Sequence, residues 1–142
     1  MQRVMIVGAG KGGMAILDIF KQTADVVAVV DINPDAPGII AAQKAGIQTG
    51  SDWHKYISDQ LDIIIEVTGE DDVFKELRDA RGKNTVLIPG SVAFLLATLL
   101  EEKEELIKTL RKITYEHDLI FKSSGDGMVV LNTEGIVTLF NK

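Results

Sequence analysis

Val4-Met5-Ile6-Val7-Gly8-Ala9-Gly10-Lys11-Gly12-Gly13-Met14-Ala15 is the stretch that decides the fold. Four apolar residues of strand type run into a glycine-rich loop, and apolar positions resume at helical spacing with Met14, Leu17 and Phe20. Gly8, Gly10 and Gly13 stand at G-x-G-x-x-G spacing, and each has a mechanical reason to be glycine. The first turns the chain tightly, the second lets a pyrophosphate approach the backbone, and the third lets the helix pack on the strand. The N–H groups of the first helical turn have no intrahelical partners, and the helix dipole adds to their pull on an anion. Gly8, Gly10, Lys11, Gly12 and Gly13 are therefore the expected cofactor-binding loop, with Lys11 a phosphate contact or a solvated loop residue.

Val26-Val27-Ala28-Val29-Val30-Asp31 is a second apolar run, β-branched as a buried parallel strand should be, and it ends in a carboxylate. Asp31 lies 18 positions beyond Gly13, close to the spacing of the acid that holds an adenosine ribose diol. A carboxylate there repels a 2′-phosphate, and no Lys or Arg follows until Lys44. The pattern thus favours NAD(H) over NADP(H), with S-adenosylmethionine or another adenine nucleotide also compatible with a ribose-binding acid. The structural alternative for Asp31 is a cap on the loop Ile32-Asn33-Pro34.

The 142 residues suffice for one good core with an appendage. Hydrophobic residues make up 46% and charged residues 25%, the balance of a soluble globular chain rather than a disordered one. No apolar run reaches the length of a membrane span, and nothing at the start reads as a signal peptide. The absence of cysteine excludes disulfides and thiolate chemistry, and a cytoplasmic setting is expected. His54 and His117 fall on different predicted elements, which argues against a histidine-based metal site. The net charge of −6 argues against direct nucleic-acid contact by these residues.

Further along, residues 37–46 read as a helix with Pro37 in its first turn and Gly46 as its stop. A short strand is expected over Gly46 to Thr49, then a helix capped by Ser51 and running through Trp53, Tyr56 and Ile57, with His54 an exposed polar residue on it. Leu61-Asp62-Ile63-Ile64-Ile65-Glu66-Val67 is the fourth strand, emptying into Thr68-Gly69-Glu70-Asp71-Asp72. Ligands in doubly wound sheets lie over the carboxyl ends of the strands, so Thr68 and Gly69 join the predicted site. A helix through Val73, Leu77 and Ala80 follows, then a fifth strand, Thr85-Val86-Leu87-Ile88. Ser91 caps the next helix and lies near where a nicotinamide half would sit.

This alternation predicts an α/β fold, a doubly wound parallel sheet over residues 1–92. It resembles a compact Rossmann NAD(P)-binding domain, most specifically between Gly8 and Asp31. Asp62-Ile63-Ile64-Ile65-Glu66-Val67-Thr68-Gly69 is similar to the fourth-strand edge in homoserine-dehydrogenase-like and aspartate-dehydrogenase-like nucleotide domains. In those enzymes the groups that act on substrate come largely from a second domain, which residues 93–142 are not expected to form.

Residues 93–122 instead form one long helical pattern. Leu99, Leu106, Ile113 and Ile120 recur every seven residues, with Leu96, Lys103, Leu110 and His117 as the companion series. The pattern predicts a coiled-coil linker, and a homodimer through residues 96–120; the alternative is a terminal helix packed on its own domain. Residues 123–142 change period, with two apolar strands flanking Asn132-Thr133-Glu134-Gly135. This segment resembles the opening of a PAS sensor domain, from Asp126-Gly127 to Asn141, truncated. That resemblance implies the front of a longer multidomain signalling or transcription-regulatory protein of bacterial type.

Three functions compete on these residues. The first is a nucleotide-sensing regulatory domain whose occupancy biases the linker and an output module. The second is the cofactor domain of an NAD-dependent dehydrogenase, for which Lys11, Glu66, Thr68 and Glu70 are the few available groups; no catalytic residue is assigned. The third is a Rossmann scaffold that binds no nucleotide.

Overall fold

The computed structural model describes residues 1–140. They divide into two compact units, Met1–Leu99 and from Leu100 onward. The first is an α/β unit whose five strands all pair in parallel in the order β3-β2-β1-β4-β5. The strands are β1 (Arg3–Val7), β2 (Asp25–Val30), β3 (Gln48–Gly50), β4 (Ile63–Glu66) and β5 (Val86–Pro89). Between them run α1 (Lys11–Thr23), α2 (Pro37–Lys44) and α3 (Asp71–Ala80), and α4 (Gly90–Ser123) follows β5. Strand order reverses at β1, which is the arrangement of a Rossmann-like domain, with its crevice over the carboxyl ends of β1 and β4.

Alternation along β1 builds two cores at once, because successive side chains leave opposite faces of a strand. Val4 and Ile6 point to the face covered by α1 and α2, where they meet Ile16, Leu17, Phe20 and Ile39, and where Ala93 of α4 is also buried. Met5 and Val7 point the other way, to Ala28, Val30, Ile64, Trp53 and Leu77. Both faces are covered, so the strands can be apolar throughout. Each fully buried Val, Leu or Ile contributes about 1.5–3 kcal/mol.

The segment after β3 departs from expectation. In place of an α-helix from Ser51, Trp53–Tyr56 form a single 3-10 turn. Its cap is Asp52, whose side chain accepts the His54 N–H at 3.1 Å. Ile57 then turns extended, at φ −65° and ψ 125°, and the Tyr56 hydroxyl donates to the Thr49 carbonyl at 2.9 Å. With Trp53 buried against the sheet and Tyr56 tied to β3, no apolar stripe remains to extend the helix.

In the second unit, the remainder of α4 is followed by an antiparallel hairpin of β6 (Val129–Leu131) and β7 (Val137–Phe140). Asn132 organises its turn: Oδ1 accepts from the Glu134 and Ile136 N–H groups at 3.0 and 2.9 Å. Gly135 takes the left-handed conformation at φ +79°, which the turn requires. Asn141, the last residue of the PAS-like pattern, lies outside the described residues. Among those described, no helix is long and apolar enough to cross a membrane.

Candidate nucleotide-binding cleft

A cleft of about 560 Å³ opens over the carboxyl ends of the strands. The glycine loop forms its floor, held in place by backbone bonds. Gly8 N–H donates to the Val30 carbonyl at 2.8 Å, Gly38 N–H to the Ala9 carbonyl at 2.7 Å, and Val67 N–H to the Val7 carbonyl at 2.8 Å.

The three fingerprint glycines differ in what the chain itself asks of them. Gly8 has φ +101°, and a Cβ there would lie 2.8 Å from the Thr68 nitrogen. A Cβ on Gly13 would lie 2.0 Å from the Gly8 carbonyl oxygen. Gly10 meets neither constraint: its φ is −64°, and a Cβ would find nothing within 4 Å. Gly10 is the N-cap of α1, with no side-chain cap and no acid in the helix's first turn. By contrast α3 begins with Asp71 and Asp72.

Asp31, at the end of β2, is half-buried. Its Oδ2 accepts the Ala9 N–H at 2.6 Å and its Oδ1 the Asn33 N–H at 2.8 Å. These bonds are those of the loop cap that the sequence offers as the structural alternative for Asp31. Two carboxylate oxygens offer about four acceptor sites, so each retains capacity for one ribose hydroxyl.

Opposite Asp31 lies the β4–α3 loop. Glu66 is buried at 5% exposure, and its Oε1 accepts from the Thr68 N–H at 2.6 Å, the Gly69 N–H at 3.2 Å and the Thr68 hydroxyl. The same hydroxyl accepts the Glu70 N–H at 3.1 Å. Glu66 is therefore the brace of this loop, and the Thr68 hydroxyl, whose proton is committed to Glu66, reaches a ligand only as an acceptor. Glu66→Ala removes three bonds to a charged acceptor, each worth about 1.5–3 kcal/mol before relaxation. A loss of roughly 3 kcal/mol, about 15 °C in melting temperature, is expected by circular dichroism. Glu66→Gln keeps an acceptor and should cost less than half of that.

Of the residues expected from sequence, Gly8, Gly10, Asp31 and Thr68 line the cleft together. Lys11, Gly12, Gly13 and Gly69 do not line it. Lys11 is exposed. Gly13 serves helix-on-strand packing, and Gly12 faces the Phe94 ring, which a Cβ would approach to 3.2 Å. Gly69 supplies a left-handed turn at φ +74°.

Sequence reasoning missed the wall after β3, where Ser51, Asp52, Trp53 and His54 line the cleft. The His54 Nδ1 lies 2.7 Å from Asp52 Oδ1. That side-chain bond, with the His54 backbone N–H second, holds the Asp52 carboxyl below its ordinary value. The cap's contribution is therefore present above the usual carboxylate pKa and is lost only as pH falls through the lower folded value. Three carboxylates, Asp31, Asp52 and Glu70, line the cleft, with no Lys or Arg among the described lining residues. No group of three or more potential metal ligands occurs among the described residues.

No family model matches the chain, and no curated protein matches it. Among solved structures it is similar to a Bacteroides fragilis protein described as an NADP oxidoreductase, with 16% sequence identity and a TM-score of 0.47. The match covers 62% of this chain and 35% of that one, so the chain spans about a third of the neighbour's length. The Rossmann-like assignment rests on strand order and the glycine loop, not on that likeness.

Proposed function

We propose that residues 1–99 bind NAD(H), and that the chain is the nucleotide-sensing regulatory part of a multidomain signalling protein. Gly10 carries the binding half of this reading. Neither its backbone angles nor its surroundings within the chain call for glycine, whereas a diphosphate drawn onto the N-terminus of α1 does. The acidic lining and Asp31 favour a free ribose diol over a 2′-phosphate.

The sensing half draws on α4. Its first turns pack beside the cleft: Phe94 lies against Gly12, and a Cβ on Gly90 would sit 3.1 Å from the Glu66 carbonyl oxygen. Further on, Leu96, Leu99, Leu106, Leu110, Ile113 and Ile120 are 40–65% exposed. A seven-residue apolar repeat left in water over a 34-residue helix is what a parallel homodimer through residues 96–120 would cover. On this proposal the hairpin after α4 is the opening of a PAS domain. The reading is of a binding module rather than a dehydrogenase, since Glu66 is occupied in bracing its loop.

Calorimetric titration with NAD, NADH, NADP and S-adenosylmethionine tests this, with sedimentation run alongside. NAD or NADH should bind, and NADP at least about tenfold more weakly. Occupancy should shift the monomer–dimer balance, because a ligand moves an equilibrium only by its difference in affinity for the two states. Failure of all four to bind overturns the binding half. Binding without any change in association overturns the coupling.

A further inference from the structure

The wall after β3 presents a flat ring in a fixed pose. Trp53, the only tryptophan of the chain, is 8% exposed and packs in the core with Val7 and Val30. The His54 imidazole lies on the Trp53 ring, with centroids 3.7 Å apart and planes 18° from parallel. Asp52 fixes the imidazole through Nδ1 at 2.7 Å and the His54 backbone through its N–H at 3.1 Å. Yet the His54 side chain is 63% exposed. One face of the imidazole is covered by indole, and the other stays open.

We infer that the open face of His54 is the stacking platform for the adenine of the bound nucleotide. The inference rests on the nucleotide reading above and adds the position of the base. Strands β2 and β3 are neighbours, with Val30 paired to Gly50, so the platform stands one strand over from Asp31. A ribose held at Asp31 carries its base on the adjoining carbon, and Asp31 and His54 line the same cleft. Ile32, next to Asp31, is 87% exposed and lines the same cleft; it offers the base an aliphatic contact. A third flat layer added to indole and imidazole needs no specific hydrogen bond, because every purine has a π-face. The nicotinamide end then extends away from the β3 side.

The test uses the full chain with AMP, NAD and nicotinamide mononucleotide, read by calorimetry and by the emission of Trp53. AMP and NAD should change that emission, and nicotinamide mononucleotide should not. His54→Ala should weaken AMP and NAD about tenfold with the melting temperature lowered by no more than a few degrees, and His54→Phe should restore affinity by restoring a flat face. Equal AMP affinity for wild type and His54→Ala overturns the inference, as does a His54→Phe variant as weak as His54→Ala. If NAD and AMP bind wild type, fail on Gly10→Val and ignore His54→Ala, the cleft stands and only the platform falls. If neither nucleotide binds wild type, the nucleotide reading fails and the platform with it.

Discussion

Gly13→Ala is expected to unfold much of the α/β unit at temperatures the wild type tolerates. The added Cβ would lie 2.0 Å from the Gly8 carbonyl oxygen and 2.8 Å from the Gly8 carbonyl carbon. Both obstacles are backbone, in a loop fastened to β2 and α2, so no side chain can swing aside. Helix propensity argues the other way, since Ala inside a helix is favoured over Gly by about 0.8–1 kcal/mol. Overpacking at a rigid contact costs about 1–3 kcal/mol and sometimes more. A clash this deep belongs at or above the top of that range, so sterics win. The net loss should be about 2–3 kcal/mol, seen as a fall of roughly 10–15 °C in melting temperature. A Gly13→Ala protein that melts with wild type would mean that helix and strand do not meet as described.

Gly10→Val should show the opposite profile: near-normal stability and no useful nucleotide affinity. The site has an ordinary φ and open space at Cβ, so the folded chain accepts the side chain. Losing glycine at an N-cap costs at most about 1 kcal/mol. A bound diphosphate would lie where the isopropyl group now projects. Displacing it from two charge-assisted N–H bonds forfeits at least about 3 kcal/mol, a factor of more than about a hundred in affinity. Calorimetry with NAD and a thermal melt on the same preparation read both halves. Wild-type affinity in the variant would remove the glycine loop from the binding site.

Four of the five strands are legible because they are apolar runs rich in β-branched residues, and the glycine loop marks the passage from β1 to α1. The segment after β3 departs from the helix its sequence spacing predicts for a physical reason. Trp53, Tyr56 and Ile57 stand at the spacing of an α-helix's first turn, and only tertiary bonds stop it there. Tyr56 reaches back to Thr49, and Asp52 rather than Ser51 caps the turn. The same blindness hid His54, whose pose depends on a ring stacked beneath it. Long-range bonds were equally invisible: nothing local announces that Asp31 reaches Ala9 across 22 positions. Lys11, Gly12 and Gly13 enter the predicted site through the glycine motif and Gly69 through its place at the carboxyl edge of β4, though packing and turn geometry account for the three glycines.

The Asp31 carboxylate also holds the glycine loop, because Ala9 is fully buried and its N–H depends on that oxygen. Any redesign toward a phosphorylated ribose that begins by swapping this acid for a small or basic residue strands a donor away from solvent. That vacancy costs about 1–3 kcal/mol, and the Asx turn at Asn33 is released with it. Selectivity and loop order are inherited together here. A successful conversion has to supply a substitute acceptor before it introduces a cation.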